Sequence, residues 1–493
     1  MRYMEENGIE MRPQLTLSLC DKTLRTEVSG DYILPDYQPE IRRILHVIPT
    51  VLPPAKYVGN GNVEWNGTVD YQVFYVGGDG GMYTLSLSSD YGGQFPMEGA
   101  EQVDFNEGIT VFATTFSEGV STRVSGPRKL NIRCRLCSKV RAYGQLPLEV
   151  QKIGLQDPAT LQRHVCEGSR MQPFGGVSDT ILCRDEILGV SEDTRVISAT
   201  ADALVENTRR ESDGLHVGGE VNLCLLLARE SGETESLLRK LPLDAVMEWD
   251  ASGENCCMRG VVSEIQIQVE EGRLLCEVSV VLEGRSIEEI PLNYVDDAYS
   301  EEQEEECRYG EYRTPVALVC ENGNFSQSER IPMGETNIPE GATIIQSFGN
   351  AWFEECRQNE DVYQLCGKSR YVMLCERDGE YHAAEVVLPL RYEIKGRGEA
   401  IDGFDATATV MSSRVRREGD TLCIDTEWSV AADLVGSRTV TVLREIQLGD
   451  RIPRQGSTMT VYYPSKEDTP WSVAKKYHVS VESIAENASY YFF

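Results

Sequence analysis

Gly67-Thr68-Val69-Asp70-Tyr71-Gln72-Val73-Phe74-Tyr75 is the stretch on which the fold turns. Val69, Tyr71, Val73 and Tyr75 alternate with Asp70 and Gln72, the period of two that sets one apolar face of a strand against a core. The run Gly77-Gly78-Asp79-Gly80-Gly81 supplies the positive-φ positions of a tight hairpin, and a second strand ends at Phe95-Pro96. The layout returns at Gly219-Glu220-Val221-Asn222-Leu223-Cys224-Leu225-Leu226-Leu227, with a turn around Ser231-Gly232 and then Leu241-Pro242. It returns again at Gly367-Lys368-Ser369-Arg370-Tyr371-Val372-Met373-Leu374-Cys375, with Asp378-Gly379 and Leu388-Pro389. Successive leading glycines lie 152 and 148 residues apart. Solenoid repeats run to roughly 20–50 residues, so a period of this size predicts three tandem copies of one domain.

Each copy carries a second hairpin. Leu130, Ile132, Cys134 and Leu136 alternate with polar residues in the first copy. Ile265, Ile267 and Val269 lead through Glu270-Glu271-Gly272-Arg273 to Leu274, Cys276, Val278 and Val280 in the second. In the third, a turn at Glu418-Gly419-Asp420 precedes Leu422, Ile424, Trp428 and Val430. The chain is therefore expected to be mainly β, with short helices. Residues 149–165 are helix-compatible apart from Pro158, and 288–306 hold nine acidic residues and no basic one. Such a charge run predicts a solvated linker. The expected domains are 1–165, 166–310 with the acidic linker, 311–455, and a small module at 456–493.

Composition agrees with a folded chain and narrows its partners. At 493 residues and 41% apolar content, roughly three domains of about 150 residues can each bury a core. The 47 basic and 79 acidic residues give a charge of −32, a field that repels nucleic acid and anionic lipid. No run approaches the roughly 20 apolar residues of a spanning helix, and the N-terminus has no signal-peptide layout, so a cytoplasmic protein without membrane insertion is expected. The 15 cysteines are scattered, and read as reduced core residues.

Near the C-terminus the pattern changes. A short strand is expected at 459–463. Thr469 suits an N-cap and Pro470 the first helical position, and Val473, Ala474 and Tyr477 share a face at helical spacing. His478 suits the left-handed position that closes the helix, and Ser480 can cap a second helix containing Val481 and Ile484.

The segment Asp468-Thr469-Pro470-Trp471-Ser472-Val473-Ala474-Lys475-Lys476-Tyr477, followed by Val479-Ser480-Val481-Glu482-Ser483-Ile484 and Asn487, resembles a LysM module. The resemblance implies a βααβ fold and a groove between the Asp468-Thr469 loop and the end of the second helix. In many members that groove binds N-acetylglucosamine polymers, as in peptidoglycan. It puts Asp468, Thr469, Trp471, Ile484 and Asn487 at the partner- or glycan-binding surface. The remaining readings of these residues are a core role for Trp471, and capping or turn formation for Asp468, Thr469 and Asn487. Only Ala488-Ser489-Tyr490-Tyr491-Phe492-Phe493 follow Asn487, so the closing strand is truncated or replaced.

Upstream, Tyr32-Ile33-Leu34-Pro35-Asp36-Tyr37-Gln38-Pro39-Glu40-Ile41-Arg42-Arg43-Ile44-Leu45, the stretch from Gly67 to Tyr75, and Gly126-Pro127-Arg128-Lys129-Leu130-Asn131-Ile132-Arg133 resemble the SPOCS (spore coat-associated) domain family. Asp297-Ala298-Tyr299-Ser300 resembles a linker of such proteins. Tandem SPOCS copies ending in LysM resemble the clostridial spore coat morphogenetic proteins. That likeness implies a non-enzymatic scaffold in the mother-cell cytoplasm at the forespore surface. Its LysM module would contact the morphogenetic ATPase of the coat basement layer, or other coat proteins. The alternative is a peptidoglycan-binding protein with the β domains as spacers.

Motifs for chemistry are sparse. The glycine run at 77–81 lacks the lysine of a phosphate-binding loop, and the serine nucleophile elbow and His-Glu-x-x-His are absent. His46, His164, His216, His382 and His478 are dispersed. No catalytic residue, metal or cofactor is expected. Cys134 and Cys137, three apart on a strand, point to opposite faces, Cys134 inward and Cys137 outward with Arg133 and Arg135. Arg133, Arg135, Lys139 and Arg141 would then form a basic stripe, either neutralised by an acidic neighbour or free to recruit an acidic partner.

Overall fold

The structure is a computed structural model describing residues 13–103, 108–148, 160–191, 194–229, 234–249, 256–270, 272–396, 398–453, 462–463, 465–466 and 468–487, with only the backbone of 485–487. These residues are mainly β, arranged in several antiparallel sheets. The first set of strands comprises β1 (Gln14–Ile33), β2 (Ile41–Val51), β3 (Ala55–Gly59), β4 (Asn62–Gly77), β5 (Met82–Pro96), β6 (Ile109–Gly126) and β7 (Lys129–Pro147). The second comprises β8 (Leu161–Val177), β9 (Ile181–Leu188), β10 (Arg195–Glu211), β11 (Gly214–Ala228), β12 (Thr234–Met247), β13 (Cys256–Glu270) and β14 (Arg273–Ser300). The third comprises β15 (Gln303–Pro332), β16 (Thr343–Asn359), β17 (Val362–Arg377), β18 (Glu380–Lys395), β19 (Gly403–Glu418) and β20 (Thr421–Arg451). Two helices follow, α1 (Pro470–Tyr477) and α2 (Val481–Asn487).

One order of pairing recurs in the three sets. The last strand of each returns between the opening strand and its own hairpin partner, as in β1-β7-β6, while a meander such as β10-β11-β12 forms the other sheet. Local breaks account for the differences. Leu52-Pro53-Pro54 separates β2 from β3, both of which pair with β4, because proline cannot donate to a ladder. Residues 178–180 likewise separate β8 from β9, both paired with β14. In the third set Ala351 and Trp352 of β16 pair with β19, merging its two sheets.

Bulges recur as well. Leu45, Ile197 and Ile345 are the extra residues in β2, β10 and β16, spaced as the leading glycines are. Glu118, Ser263 and Met411 are the extra residues in β6, β13 and β19. An unpaired extra residue bends its strand and re-aims its side chain. Each set buries its own core, around Trp65, Tyr71 and Ile132 in the first, Leu223, Leu225 and Val278 in the second, and Tyr371, Met373 and Trp428 in the third.

The bulges also join the sets. Leu45, Ile197 and Ile345 join Phe74, Leu226 and Leu374 in one apolar cluster to which every set contributes. Polar contacts close a ring around it. First to second, Gln72 Nε2 donates to Ala199 O at 3.0 Å. Second to third, Asn222 Nδ2 donates to Met411 O at 3.0 Å. Third to first, Arg370 Nη2 donates to Glu118 O at 3.0 Å, and the Arg43 guanidinium to Tyr381 O. Beside the cluster a cavity of about 1870 Å³, open to solvent, is lined by all three sets.

A second meeting point is charged and dry. Arg141 of β7, Arg285 of β14 and Asp433 of β20 occupy matching positions, opposite Phe112, Cys257 and Asp405 in their hairpins. Arg141 pairs with Asp433, Arg285 with Asp405, and Arg285 also lies 3.4 Å from Asp433. Arg141, Arg285, Asp405 and Asp433 are all buried there.

Two expectations change here. The acidic stretch 288–306 is no solvated connector: it forms the end of β14 and the start of β15, paired with β8 and β20. Some of its carboxylates have donors, Glu289 accepting from Ser169 Oγ at 2.6 Å and Ala317 N at 2.9 Å. Residues 161–165 open β8 rather than extending a helix, and 149–159 lie outside the described residues.

Candidate docking site

With eight residues α1 is too short to persist on its own propensity, so packing has to hold it. Its start is well capped: Thr469 Oγ1 accepts from Ser472 N at 3.1 Å, and Ser472 Oγ accepts from Thr469 N at 2.9 Å. His478 ends it at φ 50°, left-handed. Val473 and Ala474 are buried. Trp471, Lys475 and His478, at i, i+4 and i+7, share a face, and that face lies on the end of β14.

A bulge prepares the receiving surface. Asp296 is the extra residue between Val295 and Asp297 in the pairing of β14 with β8, and it lies 2.6 Å from His164 Nδ1. Asp297 then accepts from Trp471 Nε1 at 2.9 Å, Lys475 Nζ at 2.5 Å and Tyr309 Oη at 2.8 Å. Burial works against the Asp297 carboxylate, but the Lys475, Trp471 and Tyr309 donors outweigh it and hold its pKa below the usual range. The Trp471 ring sits between His164 and Tyr299, with centroids at 4.9 and 5.0 Å. Tyr299 Oη donates to Val479 O at 2.6 Å, and His478 Nδ1 lies 2.8 Å from Ser300 O. Strand and helix are thus locked by one carboxylate and by the contacts of Trp471 with His164 and, edge-on, with Tyr299.

Asp297→Ala should therefore release α1. It strips three donors of a charged acceptor, about 2 kcal/mol, so the amides of α1 should exchange about 30-fold faster. Tyr299→Phe, which removes one neutral hydrogen bond, should have a smaller effect; equal exchange in Asp297→Ala and wild type would refute the lock.

The five module residues read from sequence do not form one surface. Trp471 is neither free nor the core of an isolated module; it is the anchor onto β14. Asp468 is engaged locally instead, accepting from Tyr462 Oη and Ser465 N, both at 2.6 Å. Thr469 is exposed as the cap, Ile484 is half-buried, and the Asn487 side chain lies outside the described residues. Of the expected strand, 459–461 lie outside the described residues, and Tyr462 and Tyr463 are not paired.

The basic stripe is corrected too. Arg133 and Arg135 are exposed, with Glu27 4.0 Å from Arg133. Lys139, however, lies 3.6 Å above the Phe404 ring, Cys137 is buried, and Arg141 is buried against Asp433. Alternation assigns the face correctly, but β7 runs from solvent into the junction of the sets, so the face changes surroundings halfway along. Asp297, Asp405, Arg285 and Asp433 escaped attention as functional residues. Asp433 carried a signal, a lone charge within Val430-Ala431-Ala432-Asp433-Leu434-Val435.

Among the described residues, Glu211, Asp213 and His216 are a set whose ligand atoms approach closely enough to hold a metal, on the turn joining β10 to β11. No helix among them is long and apolar enough to cross a membrane. Neither a family model nor a curated protein matches the sequence.

Proposed function

We propose that the chain is a non-enzymatic spore coat scaffold: three tandem SPOCS-like domains followed by a LysM-like module that binds a coat basement-layer protein at the forespore surface. The observation that carries the reading is the recurrence of one strand order, with bulges at residues 45, 197 and 345, in three sets of strands. It supports tandem copies of one unit. The resemblance of 32–45, 67–75 and 126–133 to SPOCS domains supports the family. The capped helix pair at 470–487, fixed to β14 through Trp471, supports a module held in one orientation with Thr469 exposed. Several rigid surfaces on one body convert modest affinities into firm recruitment through effective concentration.

Deleting 459–493 in sporulating cells should disperse the protein from the forespore surface and remove the coat ATPase from a pull-down. Unchanged localisation and capture would refute the hub. Co-sedimentation of the purified chain with peptidoglycan, lost on the same deletion, would favour glycan binding instead.

A further inference from the structure

The second and third sets face each other through two neighbouring side-chain pairs, one ionic and one of thiols. Cys257 of β13 stands opposite Arg285 of β14, and Cys320 of β15 stands opposite Asp433 of β20. Across the seam Arg285 lies 3.4 Å from Asp433, and Cys257 Sγ lies 3.2 Å from Cys320 Sγ. Contacts beside them hold β13 and β15 at this spacing: Asn322 Oδ1 accepts from Met258 N at 3.2 Å, and Cys257 Sγ is 3.5 Å from Glu321 O. Closing the two sulfurs to a covalent bond takes a movement of only about 1 Å. Cys256, the next residue in β13, points to the opposite face and lies 3.5 Å from Thr208 Oγ1, turned away from the pair.

The surroundings decide which oxidant fits and which sulfur reacts first. Cys257 is 2% exposed and Cys320 8%, packed with Met171, Ile287, Ala431 and Val435, so the site favours an oxidant no larger than water. Cys257 Sγ donates to Ala432 O at 2.8 Å, and burial pushes its pKa well up, both of which keep its proton in place. Cys320 is the more accessible thiol and the better placed to attack. In a reducing compartment the pair rests as a dithiol.

We propose that Cys257 and Cys320 form an oxidation site, at which hydrogen peroxide makes a disulfide that clamps the second set to the third. The Cys320 sulfur attacks one peroxide oxygen: an S–O bond forms, the O–O bond breaks, and the Cys320 proton leaves with the other oxygen as water. The Cys257 sulfur then attacks the sulfenic sulfur: the S–S bond forms, the S–O bond breaks, and the hydroxyl leaves as water with the Cys257 proton. The two thiols lose two electrons and the peroxide gains them.

Treating the folded full-length chain with hydrogen peroxide, blocking the remaining thiols with iodoacetamide and mapping unreduced peptides by mass spectrometry tests this. The peptides carrying Cys257 and Cys320 should emerge joined, as the most abundant cross-link, and dithiothreitol should separate them. Oxidation in urea should remove the preference. In Cys257→Ala, dimedone should capture a sulfenic acid at Cys320. Because 63 residues separate the two cysteines, amides of 256–262 and 316–322 should exchange about tenfold more slowly after oxidation of the wild type. The proposal is overturned if both thiols are recovered alkylated at a peroxide dose that oxidises the half-buried Cys366, which would mean a sealed apolar contact. It is overturned equally if either is joined mainly to Cys256 or another cysteine, or if oxidation leaves exchange at the seam unchanged.

Discussion

Asp433→Ala should lower the stability of the chain by about 3–5 kcal/mol, the largest loss expected from any single side chain described above. Asp433 is fully buried between Arg141 and Arg285. Without it two guanidiniums share Asp405, and one positive charge stays in a site that water cannot reach. Asp433→Asn keeps the shape and should cost nearly as much, because the charge is what the arginines require. Replacing Arg141 by Met together with Asp433 by Leu removes one charge of each sign, and should cost clearly less than Asp433→Ala alone. Urea midpoints of the three variants check the order; Asp433→Ala or Asp433→Asn within 1 kcal/mol of wild type would sink the account.

The same region sets the response to acid. Glu283 sits 2.7 Å from Lys56 Nζ and 2.5 Å from Arg259 Nη2. Burial alone would raise its pKa, but Arg259, Lys56 and Arg285 overcome that and hold it at about 2. Its ordinary value is about 4.3. A depressed folded pKa means the stabilisation is complete above the unfolded value and is lost as the pH falls toward 2. Asp405 is lowered in the same sense, burial being outweighed by Arg285, Lys139 and Arg141.

Gly367→Ala is the second change with a large effect, about 3 kcal/mol or more. A Cβ there would stand 2.0 Å from Trp352 O and 2.8 Å from Phe353 Cα. These are backbone atoms, so relief requires β16 and β17 to part. Gly219 meets Leu204 O at 2.0 Å in the same way. The cause is the bulge opposite each glycine, between Phe353 and Glu355 and between Val205 and Asn207. Gly67 has a prolyl break in that place, and the atoms nearest its Cβ would be those of the Tyr91 side chain, from the hydroxyl at 2.7 Å, rather than backbone. Gly67→Ala should therefore cost less, about 1 kcal/mol, and thermal midpoints showing all three equal would contradict this reading.

Much of the strand layout could be read from alternation, because a strand at a core boundary writes its two faces into every second residue. Val69 to Tyr75 and Leu130 to Leu136 are clear cases, and the helix start at Thr469 was equally plain because capping is local chemistry. What lay hidden depended on partners distant in sequence. The carboxylates of 288–306 look like a solvated run until Gln162 and Ser169 of β8 donate to Glu301 and Glu289. Arg141 looks like a surface cation until Asp433, nearly three hundred residues later, arrives beside it. Trp471 had several plausible roles until the bulge at Asp296 presented Asp297 to it.

Closure of the ring between the first and third sets has a consequence for biosynthesis. Both carboxylates that neutralise Arg141 and Arg285 come from the third set, Asp405 and Asp433. A ribosome adding about 5–20 residues per second leaves the first arginine waiting on the order of ten seconds or more for its counter-charge. During that interval Arg141 and Arg285 lack the two carboxylates that pair with them in the folded chain. Premature termination before Asp405 would therefore release a species that chaperones and proteases have reason to capture, and the last third of the message decides whether the first two thirds survive.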